Sequence, residues 1–151
     1  MKLGSWADSS SRAGRSVEQA ISLLRAIPGG PKISNPIRYA GQSPIQADHS
    51  NEEINALIAR APIRKVAISS LVTGQQHSVK RNRVESYIRK PNLIPEGAHS
   101  SVHGGPIDRP IVIEYLGKRW LWDGHHRVMA ETLLGARLVA VRYVDLDGVR
   151  R

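Results

Sequence analysis

The fold of this chain is decided by the stretch RWLWDGHHRVMA, which occupies residues 119–130. Residues 119–122 predict a short strand, and residues 128–134 carry apolar side chains at the spacing of a helix. Gly124 separates the two patterns, so the chain turns there and the helix is expected to begin at His125. The sequence therefore predicts a strand that passes directly into a helix.

A strand-to-helix turn of this composition favours bound phosphate. The first N–H groups of a helix are unpaired and carry partial positive charge, and a glycine lets the backbone approach a ligand closely. Arg127 adds a planar fork for phosphate oxygens. The candidate phosphate contacts at the turn are Gly124, His126 and Arg127. A second interpretation stays open, in which Asp123 only caps the helix, Gly124 only turns the chain and the histidines are exposed polar groups.

The same residues predict phosphoryl transfer or phosphodiester hydrolysis, which needs charge stabilisation and positioning. Asp123 is the candidate to hold Mg²⁺ or orient a nucleophile, and His126 or His125 is the candidate general acid or base. Adjacent helical residues point about 100° apart, so one histidine faces the ligand, and His126 is favoured. Glu85 and Glu114 are reserve carboxylates for which a surface position is favoured.

The composition favours a polyanionic partner. The chain has 151 residues, with 22 Lys and Arg against 13 Asp and Glu, a formal charge of +9. Nucleic acid is the leading partner class because such a charge promotes binding by counterion release, although a merely well-solvated basic surface is the alternative. With no cysteine in the chain, disulfides, a thiol nucleophile and a thiolate metal site are excluded.

The sequence has no apolar run typical of a signal peptide or a membrane span, so we expect a cytoplasmic protein that does not bind membranes.

The composition divides the chain into three segments. Residues 1–15 predict a flexible basic arm, residues 16–62 a helical N-terminal extension, and residues 63–151 the main domain. The extension is where we expect any oligomer to form.

Within the extension, Ser16 and Gln19 match a capping box at the start of a first helix that ends before Pro28. The prolines and polar residues of 32–48 predict an irregular wrap. Ser50 starts a second helix with the same capping pattern.

The main domain opens with a predicted strand over 63–68 and a loop over 69–77. A third helix is expected over 79–90, with Ser78 as its cap and a strongly basic outer face. On that face the candidate nucleic-acid contacts are Lys80, Arg81 and Arg89.

The rest of the domain is predicted as a loop, a hairpin and a last strand. Residues 92–109 are expected to form a long surface loop, where His99 and His103 have helical metal-ligand spacing without a helical pattern. Residues 110–115 and 119–122 predict the hairpin, in which the two tryptophans share one face and favour core packing. Gly135 is the expected C-cap before a final strand over 138–144. The fold class is α+β.

The motif Gly-x-x-Arg-x-x-Ala at residues 124–130, with the segment that follows to Val141, resembles the ParB/sulfiredoxin superfamily. The resemblance covers about residues 63–146. It implies a small mixed β-sheet packed with helices, preceded here by the helical extension. It also implies a bound nucleoside triphosphate, ATP or CTP, together with Mg²⁺.

In the sulfiredoxin branch a Cys-His-Arg sequence stands at this turn, and its His and Arg hold nucleotide phosphate. His126 and Arg127 match that pair, whereas His125 stands at the position of the reactive cysteine. Reduction of a sulfinic acid is excluded because the chain has no thiol. Residues 83–90 resemble the nucleotide-contacting helix of that branch, which implies that Arg83, Ser86 and Lys90 lie beside the phosphates.

The ParB branch binds CTP and DNA, and carries Glu and Arg where His125 and His126 stand. Its helix-turn-helix domain has no counterpart before Arg151, so DNA partition is not expected. A third branch, kinases of free serine, has a similar Asp-Gly-His-His-Arg turn. Three hypotheses result: a nucleotide-binding hydrolase or nuclease acting on nucleic acid, a nucleotide-dependent phosphotransferase, and a binding module without catalysis.

Overall fold

The computed structural model describes residues 14–74, 78–90 and 109–149. Within these ranges the chain is α+β, as expected. The helices are α1 (Val17–Ala26), α2 (Ile45–Asp48), α3 (Asn51–Ala59), α4 (Arg81–Arg89), α5 (His125–Leu133) and α6 (Leu146–Val149). The strands are β1 (Lys32–Ser34), β2 (Arg38–Tyr39), β3 (Ile63–Ala67), β4 (Leu71–Thr73), β5 (Ser78–Lys80), β6 (Ile111–Tyr115), β7 (Lys118–Asp123) and β8 (Leu138–Asp145).

The main sheet is mixed and has six strands in the order β2-β4-β7-β6-β8-β3. Strands β2, β4 and β7 are parallel to one another, whereas β6 and β7 form an antiparallel hairpin. The carboxyl ends of the three parallel strands therefore meet at one edge of the sheet. Ligands of open sheets with parallel strands bind beyond such an edge.

The two faces of the sheet are covered by different layers, and the alternation of side chains along each strand assigns residues to them. Ile113 and Trp120 lie on one face, beneath a cluster to which α3 contributes Ile54 and Ile58. Val112, on the opposite face, packs in the cluster that includes Val128 of α5. Trp122 is partly buried on the same face as Trp120, so the prediction of core packing for this pair is confirmed.

A third layer covers the outer side of α5. It consists of α1, α4 and a two-stranded ribbon in which β1 and β5 are antiparallel. Ala20 and Leu24 of α1 are fully buried in this layer, as is Val84 of α4. The first third of the chain therefore supplies part of the layer that holds α4 against α5.

Two predictions of irregular structure were wrong. The segment 32–48 contains β1, β2 and α2, and the predicted loop 69–77 contains β4. These strands are two or three residues long, which is too short for a periodic pattern to emerge. Their partners are remote in sequence: Val72 pairs with Arg38 on one side and with Trp120 on the other.

The predicted start of the third helix was also wrong. Residues Ser78–Lys80 form β5, and α4 begins at Arg81 without a side-chain cap. Val79 is buried and lies opposite Ile33 in the ribbon, so tertiary pairing prevails over the helical pattern. The backbone N–H of Arg81 then donates to the carbonyl of Pro31 at 2.8 Å and closes the ribbon.

The other helix ends follow the predicted chemistry. Ser16 and Gln19 form the full capping box at the start of α1. Ser50 accepts the N–H of Glu53 at the start of α3, but the side chain of Glu53 contacts His49 instead of the cap. Gly135 has a φ of +93° after α5, and the N–H of Ala136 returns to the carbonyl of Glu131, which is a Schellman ending.

The hairpin of β6 and β7 turns through Leu116 and Gly117, whose φ values of +52° and +77° match a type I′ turn. The carboxylate of Asp147 accepts the N–H of Leu116 at 2.8 Å and that of Gly117 at 3.0 Å. One carboxylate from α6 therefore fixes both residues of the turn.

Some predictions fall on residues outside the described ranges. The flexible arm, most of the 92–109 loop, and the spacing of His99 and His103 are among them. Among the helices described, none combines the length and the apolar character that crossing a membrane requires.

Candidate phosphate-binding site

The candidate site lies where β7 passes into α5, at the sheet edge where β4 also ends. Gly124 is the N-cap of α5 and has a left-handed backbone, with a φ of +95°. The oxygen Oδ1 of Asp123 accepts the N–H of Gly124 at 2.7 Å. Because the cap position belongs to Gly124, the alternative interpretation of Asp123 as the N-cap residue was wrong. The amides of the first helical turn point past Gly124 and have no partner within the helix.

Gly124 is required here by packing as well as by its dihedral angle. A Cβ at this position would lie 2.7 Å from the Cα of Pro110 and 2.8 Å from its Cβ. The close approach that this glycine permits is therefore an approach of β6 to the turn. The sequence suggested that Gly124 lets phosphate approach the backbone closely. The contact with Pro110 is enough by itself to require a glycine at this position.

His125 points into the protein. Its side chain is 9% exposed, and Nε2 lies 2.8 Å from Oγ1 of the buried Thr73. Burial lowers the pKa of His125, and the charge of Asp123 opposes this effect only in part. His125 thus joins the end of β4 to the start of α5 as a neutral ring, which fits a positioning role better than acid–base catalysis.

His126 lies at the surface of the site. Its Nε2 accepts a hydrogen bond from the backbone N–H of Lys80 at 3.0 Å. Burial lowers the pKa of His126 to about 4, and the charges of Arg83, His125 and Lys80 act in the same direction while Asp123 opposes them.

These contacts define the form of the His126 ring near neutral pH. The ring is neutral and its Nε2 lone pair is in use, so the proton sits on Nδ1. Nδ1 therefore offers one N–H donor, which suits a phosphate oxygen. For Nε2 to act as a base, its hydrogen bond with the backbone N–H of Lys80 would first have to break.

Arg127 differs from expectation. The sequence suggested that its guanidinium group contacts phosphate oxygens, but the residue is only 2% exposed, and its Cζ lies 5.1 Å from the centre of the Tyr87 ring. This placement results from the packing of α5 against α4, which charge in the sequence does not reveal. Arg127 contributes positive charge beneath the site and holds the two helices together.

The exposed charge of the site comes from the ribbon. Lys32 and Lys80 are directly opposite each other in the β1–β5 pair, and both are exposed because Ile33 and Val79 take the inner face. Arg83 is also exposed and close enough to His126 to lower its pKa. Within the described parts of the chain, these three cations make no ion pair with a carboxylate. Like charges on facing strand positions repel each other, so an anion here would remove an unfavourable interaction.

Two residues implied by the resemblance, Arg83 and Ser86, are exposed and lie three residues apart on α4. Lys90 is also exposed and is the residue at which this helix ends. The hydroxyl of Ser86 donates to the carbonyl of Asn82 at 3.1 Å, so its oxygen retains acceptor capacity. These residues continue the surface formed by Lys80 and His126.

The three residues predicted to bind nucleic acid do not form one surface. Lys80 lies in the site, whereas Arg81 donates to the carbonyls of Leu24, Ile27, Gly29 and Gly30 at the end of α1. Arg89 pairs with Glu85 at 3.2 Å, and Glu85 lies 3.7 Å from Arg25. The guanidinium N–H groups of Arg81 are therefore used inside the fold and are not available to phosphate oxygens.

Two residues of the site were missed in the sequence. Lys32 stood in a segment predicted to be irregular, and Thr73 in a predicted loop. Neither position carries a local signal, since each reaches the site through pairing with a remote strand. Glu114, a reserve carboxylate, instead accepts the hydroxyl of Tyr143 on the sheet.

Within the described ranges no group of three or more His, Asp or Glu side chains could hold a metal ion. Asp123 stands as a single carboxylate near the helix N-terminus. Mg²⁺ is commonly held by one or two carboxylates plus substrate phosphate and water. One carboxylate is therefore too few to hold a metal ion unless a bound phosphate group supplies further oxygen ligands.

No family model, curated protein or solved structure matches this chain.

Proposed function

We propose that this protein is a ParB-like phosphate-binding domain that takes nucleotides and nucleic acid at the start of α5. Phosphate contacts would come from Lys32, Lys80, Arg83 and the Nδ1–H of His126, together with the first amides of the helix. The observation that carries the proposal is the pair of exposed lysines facing each other beside that N-terminus. Arg127 and Gly124 would hold the turn in place.

Three electrostatic terms support the proposal. A helix N-terminus attracts anions, the ribbon supplies two exposed lysines that pair with no carboxylate of the described residues, and the rest of the chain adds to a formal charge of +9. For the phosphate backbone of nucleic acid these terms add up to salt-dependent binding. Ser86 and Lys90 extend the surface along α4, so the contacts reach further than one phosphate.

A catalytic role is the second candidate, and the position of Asp123 favours it. This carboxylate is half-buried beside the turn and acts on the pKa values of both histidines. It could carry Mg²⁺ to a bound triphosphate and support hydrolysis or transfer of a phosphoryl group. His126 then serves as a phosphate ligand instead of a base.

The test is a calorimetric titration of ATP, CTP and short duplex and single-stranded DNA, with and without Mg²⁺. Lys80→Ala and Arg83→Ala should each weaken binding and reduce the slope of log K against log salt by about 0.7 to 0.9 per lost phosphate contact. Lys65→Ala is the matched control, because Lys65 is an exposed strand lysine of β3, at the far edge of the sheet. Equal losses in the control and in Lys80→Ala would contradict the site.

Catalysis is tested separately by phosphate release from ATP and CTP. If Asp123 carries the metal, Asp123→Asn should abolish Mg²⁺-dependent turnover while binding without Mg²⁺ is retained. Binding with no turnover in the wild type would assign the protein to the non-catalytic class.

A further inference from the structure

A cavity of about 480 Å³ opens beside the basic ribbon, between the end of α1 and the first turns of α4. It is lined by Arg25, Gly29, Gly30, Pro31, Arg81, Asn82 and Glu85. The lining continues directly into the phosphate surface, because Pro31 precedes Lys32 and Arg81 follows Lys80 in the chain. Its volume is within the range of small-ligand pockets.

Arg81 gives this cavity a flat and rigid wall. Its guanidinium donates to four backbone carbonyls around the end of α1, and hydrogen bonds to a guanidinium lie in its plane. The edge of the group is therefore occupied by the protein, and stacking on its face is the contact that a ligand can make. Arginine planes of this kind stack on nucleic-acid bases.

The rim of the cavity offers hydrogen-bonding groups to the edge of a planar ligand. Asn82 is exposed in the first turn of α4 and has both donors and an acceptor. Glu85 adds an acceptor, and Arg25 adds donors across the cavity. A heterocyclic base carries complementary donors and acceptors around its edge, and Asn and Glu are residues that pair with adenine and cytosine edges.

We propose that this cavity holds one unpaired base of a single-stranded nucleic acid whose phosphates lie on Lys32, Lys80 and Arg83. The proposal rests on the phosphate-binding function above and adds the part of the ligand that the phosphate surface cannot recognise. Arg81 stacks on the base, and Asn82 and Glu85 contact its edge. Neighbouring Cα atoms are about 3.8 Å apart, so Lys80 and Arg81 can engage adjoining parts of one nucleotide.

The experiment compares strands that share their phosphates but differ in their bases. Fluorescence anisotropy is measured for labelled single strands of dA, dC, dG or dT, for an abasic strand of equal length and for a duplex. Free ATP and CTP compete against each strand. The wild type should bind at least one base-bearing strand about tenfold more tightly than the abasic strand, since stacking of a base on a protein side chain adds to the phosphate contacts.

Two variants test the named residues. Asn82→Ala and Glu85→Gln should reduce the preference among bases by about three- to tenfold and leave the salt slope unchanged. Asn51→Ala is the matched control, because Asn51 is also an exposed asparagine in the first turn of a helix but lies in α3, across the sheet. Asn82 is exposed, and Glu85→Gln keeps the size of a partly buried side chain, so both variants are expected to fold.

Each other outcome overturns the inference. An abasic strand that binds as tightly as the others, while Lys80→Ala still weakens binding, would leave the phosphate surface intact and remove the base site. A duplex that binds as tightly as a single strand would contradict an unpaired base, and binding of free nucleotides alone would contradict a strand. Absence of binding to every probe would reject the proposed function itself.

Discussion

The Nε2 atom of His126 accepts a hydrogen bond from the backbone N–H of Lys80 at 3.0 Å, and this bond joins the start of α5 to the end of β5. A side chain from the turn thereby fixes the strand that carries one of the exposed lysines. The helix N-terminus and the cationic ribbon are held at a constant separation as a result.

The stability of the protein should depend on the protonation of His126. Its pKa falls from 6.5 to about 4 in the folded state, so the unfolded chain binds this proton more readily. The contribution of His126 is fully present above about pH 6.5 and is lost as the pH falls towards 4. Burial lowers the pKa of His125 as well and adds in the same direction.

The measurement is urea unfolding over this pH range, together with an NMR titration of the ring. His126→Gln keeps an acceptor near the Lys80 amide but does not titrate, so the pH dependence should become shallower. A His126 midpoint near 6.5 in the folded protein would contradict the lowering of this pKa by burial and by the charges of Arg83 and Lys80.

Gly124→Ala should destabilise the protein by about 3 kcal/mol or more. The new Cβ adds strain at a φ of +95° and meets Pro110 at 2.7 Å. Gly117→Ala is the control, because its φ is also positive but a Cβ there meets nothing within 4 Å. That variant should lose only about 1 to 2 kcal/mol. Urea midpoints measure both, and equal losses would mean that contact with Pro110 is unimportant.

Replacement of Arg81 should release α1 from the body of the protein. Arg81→Ala removes a donor from four carbonyls around the end of α1. Among the described residues, only the carbonyl of Leu24 keeps a backbone donor, the N–H of Ile27, so the change should cost about 2 to 4 kcal/mol. Arg83→Ala should change stability by less than about 0.5 kcal/mol, because this neighbour is exposed. Thermal unfolding compares the two, and hydrogen exchange should show faster opening of Val17–Ala26 in Arg81→Ala only.

The contact between Thr73 and His125 should also be measurable. Thr73→Val keeps the shape of the side chain but leaves Nε2 of a buried histidine facing a methyl group, at a cost of about 1 to 3 kcal/mol. Thr73→Ser retains the hydroxyl and should lose less. A Thr73→Val protein as stable as Thr73→Ser would show that the hydrogen bond has no net value.

Asp147→Ala should weaken the hairpin by about 1 to 2 kcal/mol, because two turn amides lose their acceptor. Glu52→Ala, an exposed acidic change on α3, serves as control and should stay within about 0.5 kcal/mol. The amides of Leu116 and Gly117 should exchange faster in Asp147→Ala alone. Unchanged exchange there would contradict the role of this carboxylate.

The sequence predicted those elements whose ends depend on residues close by in the chain. Ser16 and Gly135 mark helix ends through hydrogen bonds within a few residues, and the hairpin and the strand-to-helix turn at Gly124 depend on neighbours. Strands β1, β2, β4 and β5 depend on partners far away in the chain. Patterns within one short segment of sequence do not predict such strands.

The same division applies to the candidate site. The position of the turn was predictable, because strand, glycine and helix follow one another along the chain. The burial of Arg127 against Tyr87 and of His125 against Thr73 was not, because burial is set by the layer that covers a side chain. The exposed positive charge of the site therefore comes from Lys32 and Lys80, whereas the sequence had suggested Arg127.

The order of the sheet has a kinetic consequence. Strand β4 is flanked by β2 and β7, so Val72 has to meet residues from the first and the last third of the chain before the sheet is complete. Such pairings require the closure of long loops, and domains rich in them fold more slowly than helical bundles. Nascent chains that end before α5 lack the turn altogether. Newly made molecules are therefore expected to complete the strand-to-helix turn late, when β7 docks against β4.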